Sequence, residues 1–291
     1  MSEEVVEGVK NLLTMRAPDL SLLNMSWFGG EPLLTKDILI DVLSHVQKLR
    51  EEYGFRLISS ATTNGYFLDE ETFLVLGDLG VTDYQISFDG VREFHNVMRF
   101  INHPDRSFDK IWANVLLFNQ LRKEGRLTNG KILLRLHLHA ENHASLLELS
   151  ALIKKHLEPA FFSVLLKNIA HLGGEQDHTF ETVDHTSQTS AQRHRELTHI
   201  LQDFQPTDPN DEGAGYVCYA TMLNSFAIRS DGRLAKCTVA LNSAKNQIGR
   251  LTKEGHFSFE EGKVTPWIRA LQTLDKQTVA CPLSFVEHYA A

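Results

Sequence analysis

Between residues 20 and 205 one pattern repeats: a short apolar run ends in glycine or polar residues, and a stretch with apolar positions three and four apart follows. The runs at 22–28, 56–63, 82–88, 132–138 and 161–167 have the length and β-branched or aromatic character of strands. After them come Ile38, Val42, Val46 and Leu49; then Phe73, Leu76 and Leu79; then Phe108 through Leu121; then Leu146, Leu149, Ile153 and Leu157, each at helical spacing. Thr35, Asp69 and Asn142 stand where helix N-caps belong, and Gly80 where a helix stops. Strand, helix, strand with short connections predicts a parallel sheet with right-handed crossovers. A helix over residues 3–13 precedes the first strand, which is an odd opening for such a fold. Residues 90–106 read as a loop that carries His95 and Arg99, and a helix over 190–204 closes the series.

The strand ends hold the chemistry. In 82–88, Tyr84, Ile86 and Phe88 alternate with Gln85, Ser87 and then Asp89; in 132–138, Leu134, Leu136 and Leu138 oppose Arg135, His137 and His139. A strand with one polar face in an α/β protein lines a site, although an edge strand could turn that face to solvent. Functional residues at the C-terminal ends of parallel strands match the placement rule for barrels. The first strand runs into Gly29-Gly30-Glu31-Pro32, where glycines admit a close approach to the backbone and the carboxylate offers an acceptor. An ordinary strand-to-helix turn would read the same way.

Composition narrows the partners. The net charge is −8, with no basic stripe, which argues against nucleic acid. No apolar run approaches the ~20 residues of a membrane helix, and the acidic start is not a signal peptide, so the expected location is cytoplasmic. Three widely spaced cysteines, Cys218, Cys237 and Cys281, do not make a disulfide framework. Residues 175–190 read as a polar loop and 206–215 as a linker. Beyond it, Phe226 to Arg229 and Leu234 to Cys237 flank Ser230-Asp231-Gly232, a hairpin signal. A helix is expected around Trp267 to Leu274. The domains expected are therefore 1–205 and 206–291.

Gly29-Gly30-Glu31-Pro32, then Thr62-Thr63-Asn64-Gly65, then Ile86-Ser87-Phe88-Asp89-Gly90 with His95 and Arg99 behind it, resemble the radical S-adenosylmethionine (SAM) enzymes. The likeness is strongest to the peptide- and protein-modifying branch with a cysteine-rich C-terminal SPASM extension. It implies a partial six-stranded (β/α) barrel, of which five strands are visible here, followed by a small, incomplete α+β domain. It also implies SAM and [4Fe–4S] clusters as cofactors, a reductant such as flavodoxin or ferredoxin, and a peptide or protein substrate. In such enzymes the cluster reductively cleaves SAM, and the radical formed abstracts a hydrogen atom from a side chain, giving a crosslink, thioether, epimer or oxidised residue. By resemblance, Gly29, Gly30 and Glu31, with Pro32 fixing the exit, would hold the methionine amino group. Thr63 and Asn64 would lie beside the nucleoside, Ser87 and Asp89 would bond ribose or carboxylate, and Arg135 suits the carboxylate. Arg135 could instead pair with Asp89 or Glu31. His137 and His139 carry no assigned role.

The departures from that pattern matter. The family's Cys-x3-Cys-x2-Cys loop is absent upstream of Gly29, so the expectation is a chain truncated at its N-terminus and unable, as it stands, to cleave SAM. Cys218 and Gly232-Arg233-Leu234-Ala235-Lys236-Cys237 match the opening of the SPASM pattern, and Cys281 its next run, but Ser284 stands where another cysteine belongs. These three are the implied metal ligands; as ordinary reduced thiols they would simply pack. Three alternatives stay open: a sulfatase-type maturase making formylglycine, a cluster-less SAM- or peptide-binding relative, and an unrelated barrel using His137 and His139 on a metal.

Overall fold

The computed structural model describes residues 1–99, 107–169, 188–206 and 216–288, and the chain divides into two compact units. Residues 21–206 form one; residues 1–20 and 207–291 form the other. The loop expected at 175–190 and the linker at 206–215 fall largely outside the described residues.

The larger unit is the predicted alternation. Its strands are β1 (Leu22–Trp27), β2 (Arg56–Thr63), β3 (Val81–Phe88), β4 (Lys131–Leu138) and β5 (Phe162–Asn168), all parallel and in sequential order. Sequential order means that every crossover steps the same way, as in a barrel wall and unlike a doubly wound sheet. The helices between them are α2 (Lys36–Tyr53), α3 (Glu70–Asp78), α4 (Arg92–Arg99), α5 (Ser107–Lys123) and α6 (His143–His156), and α7 (Gln188–Ile200) follows β5. One face of each central strand is packed under those helices: Ile86, Phe88, Leu134, Leu136 and Leu138 are fully buried. Each such side chain contributes about 1.5–3 kcal/mol by leaving water. Tyr84, Phe73, Phe118 and Phe162 meet edge-on or tilted at the centre.

Three local expectations need correcting. Residues 92–99 are helix α4, not loop. Thr35 does not cap α2; a short 3-10 turn over Pro32–Thr35 precedes that helix, and the Thr35 hydroxyl bonds back to the Pro32 carbonyl. Asn142 does not cap α6 either, because its side chain is spent on the strand ends. Asp69 does cap α3, accepting from the Thr72 amide at 2.9 Å.

The smaller unit is built on a four-stranded antiparallel sheet: β6 (Ala227–Ile228), β7 (Arg233–Ala235), β8 (Gly249–Leu251) and β9 (Phe257–Phe259). The predicted hairpin joins β6 to β7, turning at Gly232, whose φ of 81° suits glycine. The helix expected around Trp267 is split into two short ones, α8 (Thr265–Ile268) and α9 (Ala270–Thr273). Then follow α10 (Lys276–Ala280) and α11 (Leu283–His288). The opening helix, α1 (Glu3–Arg16), belongs here and not with the strand–helix series with which the sequence groups it. Val9 and Leu12 pack against the cluster around Leu234, Ile248, Leu251 and Trp267, and Asn11 Nδ2 donates to the Lys253 carbonyl at 2.8 Å. Gly8 permits this approach, since a Cβ there would run into the Thr252 carbonyl oxygen.

Candidate functional site

At the C-terminal ends of β1 and β2, Glu31 ties two connections together. Its carboxylate accepts from Thr63 Oγ1 at 2.6 Å, from the Asn64 amide at 2.7 Å and from the Leu33 amide at 3.0 Å. A carboxylate has about four lone-pair sites, so these bonds leave about one for a ligand. Thr63 Oγ1 in turn accepts from the Gly65 amide, and Asn64 Oδ1 from the Tyr66 amide. The residues that the sequence singles out at the first two strand ends are thus brought together. Gly29 adopts φ 131°, and neither it nor Gly30 has any atom within 4 Å of where a Cβ would sit, so the backbone here is open to a neighbour.

At the ends of β3 and β4 the polar groups turn inward. Asp89 is only 2% exposed, and its carboxylate receives Arg99 Nε at 2.5 Å, His137 Nδ1 at 3.0 Å and His139 Nε2 at 3.3 Å. Burial opposes its charge, but the hydrogen bonds from His137 and His139 and the bonded guanidinium of Arg99 outweigh it. The carboxyl is held far below the usual carboxylate range. Asp89 is therefore enclosed, its carboxylate shared among three side chains. His95, fully buried on α4, accepts the Asp89 amide on Nδ1 at 3.3 Å. Burial, then the charge of Arg99, push its pKa down to about 4, against the pull of Asp89. Gly90 lets this corner close, because a side chain there would strike Ser145, whose hydroxyl holds the Val91 amide at 2.9 Å.

Asn142, which the sequence offers as a cap, clamps the same corner. Its Nδ2 donates to the carbonyls of Asp89 (2.6 Å) and His137 (2.8 Å), and its Oδ1 accepts the His139 amide at 2.8 Å. Asn before a helix reads as a cap; only the fold shows that its partners lie on two strands.

Arg135 and Ser87 face each other across the β3–β4 ladder. Arg135 Nε is buried without a partner, and burial, then the nearby charge of Arg99, lower the guanidinium's pKa. A half-buried guanidinium with an unpartnered, buried Nε suits a ligand's carboxylate. SAM carries such a carboxylate, so these residues fit it. Neither Glu31 nor Asp89 pairs with Arg135, since each is bound as described above.

The cluster ligands do not fit. The chain has no cysteine before Cys218, so no thiolate lies in the parallel unit. In the smaller unit Cys218 is half-buried, Cys237 buried and Cys281 exposed, and none of the three is in a disulfide. Burial first, and then the nearby Cys237 and Cys281, push the Cys218 thiol up, and the Val239 amide donates to Cys237 Sγ at 3.4 Å. No group of three His, Cys, Asp or Glu among the described residues is placed to hold a metal ion. No helix among them is long and apolar enough to cross a membrane.

Comparison with known proteins adds the lineage. The chain resembles the solved structure of native anSMEcpe with bound AdoMet and Kp18Cys peptide, with a TM-score of 0.65 and 17% identity over 97% of this chain and 80% of that one. It also resembles Streptococcus suis SuiB bound to precursor peptide SuiA, with a TM-score of 0.58 and 14% identity over 96% of this chain and 63% of that one. These likenesses are of fold. A comparison with curated proteins gave no match. The family described as the radical SAM superfamily matches residues 3–149, half of the 291 residues. The motifs, the sequential parallel sheet and that match agree: the chain belongs to the radical SAM superfamily.

Proposed function

We propose that the C-terminal ends of the parallel strands bind SAM in a protein that modifies a peptide or protein side chain. Arg135, aided by Ser87, takes the methionine carboxylate; the open backbone at Gly29 and Gly30, with the free lone pair of Glu31, takes the amino group; Thr63 and Asn64 border the nucleoside. The buried, unpartnered Nε of Arg135 carries this reading. Peptides bound to the two solved neighbours support a peptide partner. Three cysteines outside any disulfide accord with a reducing, cytoplasmic setting, where a flavodoxin or ferredoxin would be the reductant. In this family a [4Fe–4S] cluster supplies the electron for SAM cleavage, and the donor set of this chain does not hold one. The chain by itself thus binds SAM without cleaving it, as a cluster-less relative would.

Titration calorimetry with SAM tests this, alongside 5′-deoxyadenosine analysis after anaerobic reconstitution with iron and sulfide. SAM should bind, Arg135→Met should weaken it by about 10- to 100-fold, the value of one charge-assisted hydrogen bond, and no 5′-deoxyadenosine should form. Absence of SAM binding, or binding that ignores Arg135, would overturn the site assignment.

A further inference from the structure

His137 sits on the inward face of β4, two residues beyond Arg135 towards the strand ends, and no role in SAM binding has been given to it. Its Nδ1 lies 3.0 Å from Asp89 Oδ1 and 3.2 Å from Arg99 Nη2. Both contacts cannot be hydrogen bonds at once. If Nδ1 were bare, its lone pair would face a carboxylate already held ionised by Arg99. If Nδ1 carries the proton, it donates to that carboxylate by the shorter, charge-assisted contact. The second arrangement leaves the lone pair on Nε2. That atom has no partner among the described residues, and the side chain keeps 21% of its surface exposed. His95 and His139 share the cluster but are sealed: His95 is fully buried, and His139 is spent on Asp89 and lies edge-on to Phe94.

We propose that His137, oriented by Asp89, is a proton acceptor at the C-terminal end of β4, serving an O–H or S–H group of a bound peptide side chain. The proton passes from the substrate heteroatom to Nε2, the imidazole becomes imidazolium, and the Asp89 carboxylate faces the new charge while remaining ionised. No other bond breaks and no electron moves. The reading rests on the strand ends taking a peptide substrate, as proposed above.

The groups facing His137 define its strength. Asp89 on the β3 end favours the imidazolium; Arg99 and His95 on α4 and Arg135 on β4 surround it, and Lys167 on β5 stands opposite in register. Burial foremost, with Arg99 and Arg135, lowers its pKa despite Asp89. An acceptor of this kind is neutral at pH 7 and gives its proton back readily.

The test uses the whole chain. Nitrogen-15 NMR of the histidine side chains across pH 4–8, with His137 identified by the signals lost in His137→Gln, should show the Nδ1–H tautomer and a midpoint below the ordinary value of about 6.5. Diethylpyrocarbonate at neutral pH, read by peptide mass spectrometry, should label His137 while His95 and His139 stay protected. An Nε2–H tautomer, or a His137 as protected as His95, overturns the proposal. SAM calorimetry on the same samples separates the two readings. SAM binding with an Nε2–H tautomer defeats only the proton acceptor, whereas failure to bind SAM with Nδ1–H defeats only the SAM site.

Discussion

Replacing Asn142 by leucine is the most direct probe of how the strand ends are held. The side chain is fully buried, so leucine of similar size fills the space but leaves three backbone groups without partners: the Asp89 and His137 carbonyls and the His139 amide. Each orphaned buried group costs about 1–3 kcal/mol, so the sum is about 3–9 kcal/mol, lessened wherever water enters. Against a typical total of about 5–15 kcal/mol, that takes the parallel unit close to its threshold. Urea unfolding followed by tryptophan fluorescence reports on this unit through Trp27 and Trp112, and hydrogen exchange reads the His139 amide itself. The expected result is a midpoint lowered in proportion and a His139 amide that exchanges much faster. A loss below about 1 kcal/mol with His139 still protected would refute the clamp and the energetic argument built on it.

Two further predictions follow from packing and charge. Gly8→Ala should destabilise the smaller unit by about 1–3 kcal/mol, seen in the Trp267 signal, because the new methyl group meets the Thr252 carbonyl; an unchanged midpoint would show that α1 does not pack as described. His95 takes up a proton near pH 4 when folded but near 6.5 when unfolded, so the unfolded chain binds more protons between those values. Stability is then complete above about pH 6.5 and falls by roughly 3 kcal/mol as pH drops through the window. Urea midpoints measured across that range should slope less in His95→Leu than in the wild type; equal slopes would contradict the assignment.

Much of the parallel unit is legible in the chain because its strands and most helices bury aliphatic faces at regular spacing. Leu134, Leu136 and Leu138 lie in the core, as alternation predicts, and Arg135, His137 and His139 share the other face. Helix α4 escapes detection for the opposite reason. Its buried residues are His95 and Asn96, held by hydrogen bonds, while Val97 is 66% exposed, so hydrophobic periodicity has nothing to report. Asp89 and Glu31 are conspicuous as carboxylates at strand ends. Their partners come from distant segments, and no local pattern distinguishes a ligand-facing carboxylate from an enclosed one. The misplacement of α1 has the same root: adjacency to β1 in sequence is no guide when the partners of Asn11 and Gly8 lie near residue 252.

That separation governs the order in which the chain can mature. Asn11 and Lys253 are 242 residues apart, so on a ribosome adding about 5–20 residues per second, α1 waits roughly 10–50 s for its partner. Meanwhile the apolar face of Val5, Val6, Val9, Leu12 and Leu13 has nowhere native to go, whereas residues 21–206 form a contiguous segment that can complete its own sheet first. The smaller unit is consequently a late, non-local assembly. Expressed as 207–291 alone, it would lack one wall of its core, and supplying residues 1–20, fused or as a separate peptide, should restore it.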